Sequence, residues 1–303
     1  MSRLYCGDCL ELMRSMPSGS VDMVITSPPY EDLRTYGIDF SLSGEQWVSW
    51  AVERFLECYR VSRGPVFWVL QGKTKGFRWS STPALLMADL HRVGVNLRCP
   101  PIYHRVGIPG SGGPDWLRCD YEFIIAATPT GKLWWSNNTA VGHQPKWAPG
   151  GEMSHRHADG RRINAQLSKR LPRRQSARPS HERADKLHTK TRSDGTKELQ
   201  GYTVPSLVNP GNVIRCKVGG GKMGSRLSHE NEAPFPESLV EPLILSFCPP
   251  GGIVLDPFCG SGTSLAVATR LQRASIGIDI RQSQIDLSRK RVAEASAKVE
   301  LFV

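Results

Sequence analysis

The chain has 303 residues, 39% of them hydrophobic, and carries a formal net charge of +11. This length supports one large α/β domain with an insertion, or two domains, and no run of about 18 apolar residues offers a membrane span. The surplus of cations selects a polyanionic partner, nucleic acid first and an anionic membrane surface second, and bears on no fold.

The opening residues, MSRLYCGDCLEL, lack the apolar core of a signal peptide. Eight cysteines are scattered along the chain, so free thiols in a reducing cytoplasm are expected. Cys6-Gly-Asp-Cys9 is a lone CxxC without the second pair that a zinc site requires, so no metal is expected. Val21–Ile25 reads as a buried strand that breaks at Ser27-Pro28-Pro29-Tyr30. Ser43-Gly-Glu-Gln46 has the form of a capping box, and Trp47, Trp50, Ala51, Phe55 and Tyr59 then recur at helical spacing. Pro65–Leu70 is a continuous apolar run, as in a parallel strand covered on both faces. A helix over Pro83–Val93 and a strand over Tyr121–Ala127 follow.

From Leu133 to about Asn212 the apolar periodicity fades, and Arg, Lys, His, Ser and Gly dominate. Residues 151–200 hold 13 Lys and Arg against 6 Asp and Glu, most of the chain's net positive charge. A solvated insertion and a DNA-contacting region that orders on the phosphate backbone both fit this composition. Its histidines, His143, His155, His157, His181 and His188, lack patterned Cys or acidic partners, and read as nucleic-acid contacts or solvent-facing groups. Gly219-Gly-Gly-Lys222 is followed by Met223 and has no strand-loop-helix context, so it reads as a loop and not a P-loop.

The α/β pattern then returns. Pro236–Phe247 reads as helix, Gly252–Leu255 as strand, Thr263–Arg273 as helix, Ala274–Ile278 as strand and Gln282–Glu300 as helix. Between them, DPFCGSGT forms a glycine-rich turn in which Gly260 and Gly262 let the backbone approach a ligand closely. The third glycine of a dinucleotide fingerprint is replaced by Leu265. Asp279 ends the next strand, 17 residues after Gly262, where a carboxylate suits a ribose diol. The site therefore reads as an adenosine pocket without a pyrophosphate. Asp256, just before the turn, suits either a cationic amine of the ligand or the loop itself.

Together these residues resemble the DNA amino-methyltransferases that use S-adenosylmethionine. DPFCGSGT, Asp256 to Thr263 with Phe258, Gly260, Ser261 and Gly262, is similar to their cofactor motif. Ser27-Pro28-Pro29-Tyr30 is similar to their catalytic motif, and HENEAPFPESLVEPLI, with Phe235 and Pro236, to the segment that precedes the cofactor loop. The catalytic motif comes first and the cofactor motif last, as in the β group of that family. The resemblance implies an α/β fold with a doubly wound, mostly parallel sheet, Rossmann-like and circularly permuted in its motif order. It implies a catalytic half over 1–133, a basic target-recognition region over 134–212 and a cofactor-binding half over 213–303. Phe235, Pro236 and Phe258 would line the cofactor pocket, or equally sit in the core. Asp8 falls at the family's N-terminal cofactor segment, where it would meet the adenine amino group; an N-cap ahead of Leu10–Met13 is the alternative.

The chemistry of such an enzyme is a displacement at a sulfonium methyl by an amine whose lone pair is delocalised into a ring. The chain must hold the N–H groups so that the nitrogen pyramidalises. Pro28 and Pro29 form a rigid corner able to aim a carbonyl, that of Pro28, into the site, and the Ser27 hydroxyl supplies a second bond. The target amine is out of reach inside a duplex, so the base must flip out, and Tyr30 is the expected stacking wall. The family associates Ser at the first motif position with cytosine N4, and Asp with adenine N6, so cytosine N4 is expected and adenine N6 is the alternative. The resemblance names double-stranded DNA as the partner and admits a cognate restriction endonuclease, with a monomer or a homodimer. A cysteine-based C5 transfer is excluded, since the family that performs it uses a Pro-Cys dipeptide and none occurs here. An RNA substrate, or DNA binding with a vestigial pocket, would use the same features.

Overall fold

The molecule is described from a computed structural model over residues 2–31, 40–108, 114–144, 155–156, 162–163, 188–191, 197–200, 207–219, 221–230 and 234–300. Strand β1 (Ser2–Cys6) leads into helix α1 (Cys9–Arg14), then β2 (Met23–Thr26), α2 (Gly44–Val61) and β3 (Val66–Leu70). A hairpin of β4 (Thr74–Lys75) and β5 (Arg78–Trp79) precedes α3 (Thr82–Arg92), β6 (Ile102–Val106) and β7 (Tyr121–Ala127). After the basic stretch come β12 (Val213–Lys217), α4 (Glu237–Phe247), β13 (Ile253–Asp256), α5 (Thr263–Arg270), β14 (Ala274–Asp279) and α6 (Gln282–Glu300).

Eight of these strands form one sheet in the order β1-β14-β13-β2-β3-β7-β6-β12. Every neighbouring pair is parallel except β3 with β7 and β7 with β6. The apolar runs of β2 and β3 follow from their central place. Val24, Val66, Trp68 and Leu70 point into one core, with Trp47, Ala51 and Phe55 of α2. Met23, Ile25, Phe67 and Val69 point into the other, with Leu239, Leu243 and Ile244 of α4 and Val267 of α5. A strand covered on both faces has no polar face to present, so it reads as continuous and not alternating.

Several elements were not expected. β1, β6 and β12 lie at or beside the sheet's edges, and their exposed residues break the apolar signal. Ser43 makes no capping bond with its side chain; the Gly44 N–H is taken instead by the Glu31 carboxylate, at 2.9 Å. Helix α5 stops at Arg270 and not at Arg273, because Gln272 turns left-handed with φ +60°.

The contacts divide the chain into two compact units, Met1–Val141 with Gly211–Val303, and Gly142–Pro210. Residues 134–141, grouped above with the basic region, fall in the first unit: Trp134 lies under the Arg63 guanidinium at 4.4 Å and Asn137 N donates to Ser246 O at 2.8 Å. In the second unit, β8 (His155–Arg156) pairs with β9 (Arg162–Ile163), and β10 (His188–Thr191) with β11 (Lys197–Gln200), all antiparallel. The rest of the basic stretch 151–200, with His157 and His181, lies outside the described residues. All eight cysteines are free thiols. Among the described residues no helix is long and apolar enough to cross a membrane.

Candidate active site

In an open α/β sheet, ligands bind beyond the carboxyl ends of the strands where the winding reverses. Here β13 is followed by β14 on one side, and β2 by β3 on the other, so the reversal falls between β13 and β2. A cleft lies at that point. It encloses about 990 Å³, counting space open to solvent, and is lined by the ends of β2, β13 and β14 with α2.

The Ser27–Tyr30 corner forms one wall. Thr26, the last residue of β2, donates from Oγ1 to Asp256 Oδ1 at 2.6 Å, which ties the corner to the end of β13. The Pro29 carbonyl accepts from Trp47 Nε1 at 2.9 Å, so it is turned toward α2. The Pro28 carbonyl has no hydrogen-bond partner among the described residues. Ser27 Oγ donates to the Tyr30 hydroxyl at 3.3 Å, and that hydroxyl donates to Glu122 Oε2 at 2.7 Å. Arg105 Nη1 lies 3.2 Å from the other oxygen of Glu122. With its proton committed to Tyr30, Ser27 Oγ keeps its lone pairs for a donor in the cleft. Glu31, 2% exposed, holds the corner to its surroundings by accepting from Gly44 N and Lys73 N.

The glycine turn forms the opposite wall. Gly262 has φ +78°, and a Cβ there would come within 2.7 Å of Ser288 Oγ, so both the backbone and the space demand glycine. Asp279 Oδ2 accepts from Gly260 N at 3.0 Å, and Oδ1 from Arg281 N at 2.9 Å. A carboxylate has about four acceptor positions; the backbone takes two and the Arg281 guanidinium approaches Oδ1 at 3.6 Å, which leaves capacity for a ribose hydroxyl. Burial raises the Asp279 pKa, against the opposing pull of the Arg281 and Gly260 N–H groups and the Arg281 charge. Beneath the turn, Arg291 is 1% exposed. It donates to Thr263 Oγ1 at 2.8 Å and Ser261 Oγ at 3.2 Å, and pairs with Glu237 Oε1 at 2.8 Å. Glu237 also pairs with Arg270.

Asp256 is fully enclosed between the walls. It accepts from Thr26, from Ser264 Oγ and from Phe258 N. Of its two readings, these bonds favour holding the loop. Burial pushes its pKa from the ordinary 3.8 up to about 6, only partly offset by the Ser264, Thr26 and Phe258 hydrogen bonds. The folded state therefore binds this proton more tightly than the unfolded one. The stability this group contributes is full below about pH 3.8 and is lost as pH rises through about 6. Asp256→Asn does not titrate, so its stability relative to the wild type should rise by on the order of 3 kcal/mol between pH 4 and pH 7. Urea denaturation at both values measures this, and an unchanged difference contradicts it.

Of the residues singled out from sequence, the cleft brings together Asp8, Ser27, Pro28, Pro29, Phe235, Asp256, Phe258, Gly260, Ser261, Thr263 and Asp279. Tyr30, Pro236 and Gly262 stand behind this lining: Tyr30 is half-buried against the first core, Pro236 precedes α4, and Gly262 precedes α5. Asp8 is the N-cap of α1, accepting from Leu10 N at 2.8 Å, and its other oxygen pairs with Arg54 at 3.0 Å. Burial alone would raise its pKa, but the Arg54 hydrogen bond and charge, with the Leu10 and Glu11 N–H groups, hold it below the usual range. The cleft also contains Trp50, Arg54 and Arg281. Trp50 packs against Phe258 with centroids 5.7 Å apart, and the Arg54 guanidinium lies 4.5 Å from the Trp50 ring. Arg54 Nε is buried without a partner. The overlooked signal was a cation, Arg54, on the otherwise apolar stripe of α2.

An open, mostly parallel sheet with a glycine turn and a proline corner at its switch point is the Rossmann-like methyltransferase fold, here with the proline corner ahead of the glycine turn in the chain. The DNA methylase family profile matches residues 21–290, and the chain belongs to that family. It is 26% identical to the type II methyltransferase M.BglII of Bacillus subtilis, over 95% of this chain and 68% of that protein. It is 28% identical to the orphan methyltransferase M.BamHII of Bacillus amyloliquefaciens, over 90% and 89%. Among solved structures, the cytosine-N4-specific PvuII DNA methyltransferase superposes with a TM-score of 0.62 at 17% identity, covering 98% of this chain and 92% of that one. A DNA modification methylase of Thermus thermophilus, in complex with S-adenosyl-L-methionine, superposes at 0.55 with 21% identity, over 98% and 95%. At these identities the solved structures speak for the fold.

Proposed function

We propose that this DNA methyltransferase transfers a methyl group from S-adenosylmethionine to the N4 amine of a cytosine flipped out of duplex DNA. The observation that carries the reading is the meeting, in one cleft, of two differently built walls. One offers the unpartnered Pro28 carbonyl and the lone pairs of Ser27; the other offers the glycine turn and Asp279.

The residues fit the cofactor. Asp279 has acceptor capacity left for a ribose hydroxyl, Trp50 and Phe258 give an aromatic wall, and the orphaned Arg54 Nε suits a carboxylate. When bound, the cofactor supplies an electrophilic methyl on a sulfonium. The chain's own part is to hold the target amine. The Pro28 carbonyl and Ser27 Oγ each accept one amine hydrogen, which turns the nitrogen lone pair out of conjugation. As positive charge develops on that nitrogen, the Ser27–Tyr30–Glu122 chain is oriented to stabilise it, because each hydroxyl already points its proton toward the carboxylate. Ser27 in the first motif position favours cytosine over adenine. The basic region 134–212 supplies target recognition in this reading.

Plasmid DNA incubated with the protein and methyl-labelled cofactor, then digested to nucleosides, tests the reaction. N4-methylcytosine is expected; N6-methyladenine would move the substrate to adenine, and no label in either base would overturn the reading. Sequencing that detects the modified base locates the site. Asp279→Ala should weaken cofactor binding about 10-fold or more, consistent with the loss of charge-assisted hydrogen bonds of roughly 1.5–3 kcal/mol. Calorimetry measures this, and an unaltered Kd rules out the ribose assignment.

A further inference from the structure

The hairpin β4–β5 is unexplained by the site described above. Its turn, Lys75-Gly76-Phe77-Arg78, places both central residues at positive φ, +57° for Gly76 and +62° for Phe77. This is the twist of a two-residue type I′ hairpin, which normally takes Asn-Gly or Gly-Gly. Three local costs meet at the tip. A bulky aromatic sits in the left-handed region, where non-glycine residues are disfavoured. Phe77 is 80% exposed, so its ring gains nothing from burial. Lys75 and Arg78 are paired directly across the strands, and like charges in that position repel. Neither cation has an ion-pair partner among the described residues. Local rules broken together at one place mark a functional site and not a framework.

The base of the hairpin, by contrast, is fixed. Trp79 packs on Phe123 with centroids 6.3 Å apart and lies so close to Gly72 that a Cβ there would be 2.4 Å from its Nε1. Ser80 N donates to Lys73 O at 2.9 Å, and Lys73 N to Glu31 Oε1 at 3.3 Å. Glu31 directly follows Tyr30, so the hairpin is indexed to the catalytic corner. It also leaves β3 at the carboxyl end, the edge of the sheet where the cleft opens.

We propose that Phe77 is a wedge that enters the base stack of duplex DNA beside the target and fills the space the flipped base vacates. The cross-strand pair Lys75 and Arg78 seats the tip on the two flanking phosphates. A polyanion is the partner that turns their repulsion into attraction, and an apolar side chain presented between cations is the form of an intercalating wedge. This proposal rests on the base-flipping reading above.

Phe77→Asn keeps the turn, since Asn tolerates the left-handed region, and removes the ring; Phe77→Trp keeps a ring. With the duplex carrying the site located as above, Phe77→Asn should slow methylation about 10- to 100-fold, the range expected for losing one base–aromatic stack. Phe77→Trp should stay near the wild-type rate, and the melting temperature and cofactor Kd of both should be unchanged. When the target lies opposite an abasic site, it is already unstacked, and the Asn variant should come within about threefold of the wild type. A matched-duplex rate unaffected by Phe77→Asn, or the same loss on both duplexes, overturns the wedge. A wild type that methylates neither duplex overturns the methyltransferase reading on which the wedge rests.

Discussion

Tyr30→Ala is expected to lower turnover about 100-fold while leaving duplex binding within a few-fold of the wild type. The ring is half-buried against the first core, and losing a base–aromatic stack costs roughly 1–3 kcal/mol in the stacked state. The hydroxyl adds a second loss, because it accepts a hydrogen bond from Ser27 and donates one to Glu122. Tyr30→Phe separates the two. It keeps the ring and frees Ser27, so it should recover the stacking part of the loss and none of the orientation part. If Glu122 acts through Tyr30, then Glu122→Gln on the Tyr30→Phe background should change turnover little, whereas on the wild type it should slow it. Single-turnover rates with saturating DNA measure these effects, and a Tyr30→Ala enzyme with wild-type turnover would sink the role of this side chain.

Arg291→Ala should have the largest effect on stability, a loss of about 3–5 kcal/mol, because it leaves Glu237 buried with one of its two cations gone. It also releases Ser261 and Thr263, so cofactor binding should weaken with it. The pH dependence gives a separate signature. Burial alone would raise the Glu237 pKa, but hydrogen bonds and charge from Arg291 and Arg270 prevail and hold it below its ordinary 4.5. A depressed carboxyl contributes stability above its unfolded pKa and loses it as pH falls through the folded value. The wild type should therefore lose stability on acidification below about pH 4.5, and Arg291→Ala should lose less over the same range, having less of that pairing to lose. Denaturant midpoints between pH 3 and pH 7 test both the size and the sign. The trend is opposite to that of Asp256, whose enclosed carboxyl favours acid. Two buried acids near one turn thus respond to pH in opposite senses, because one is paired with cations and the other only with neutral donors.

The legible parts of this molecule were those whose physics is local in sequence. β2, β3, β7, β13 and β14 are buried on both faces or nearly so, and their apolar runs show it. The proline corner and the glycine turn each carry their constraint within a few residues. What was not legible arrives by packing. Arg54 and Trp50 reach the cleft from α2, Arg281 from beyond β14, and Glu122 from the antiparallel strand β7. Glu31 replaces Ser43 at the start of α2 because a distant carboxylate was better placed than the local hydroxyl. The hairpin at Phe77 escaped because its strands are two residues each and its turn lacks the usual Asn-Gly.

The seam between β13 and β2 also sets a timetable for synthesis. Thr26 and Asp256, bonded across it, are 230 residues apart in the chain. At ribosomal rates β2 therefore waits about 10–50 s for its neighbour. Throughout that interval Met23–Thr26, apolar on both faces, has one edge without a partner, the kind of edge that pairs with other chains. The cleft cannot form for as long, since neither of its walls can find the other until the last strands leave the ribosome.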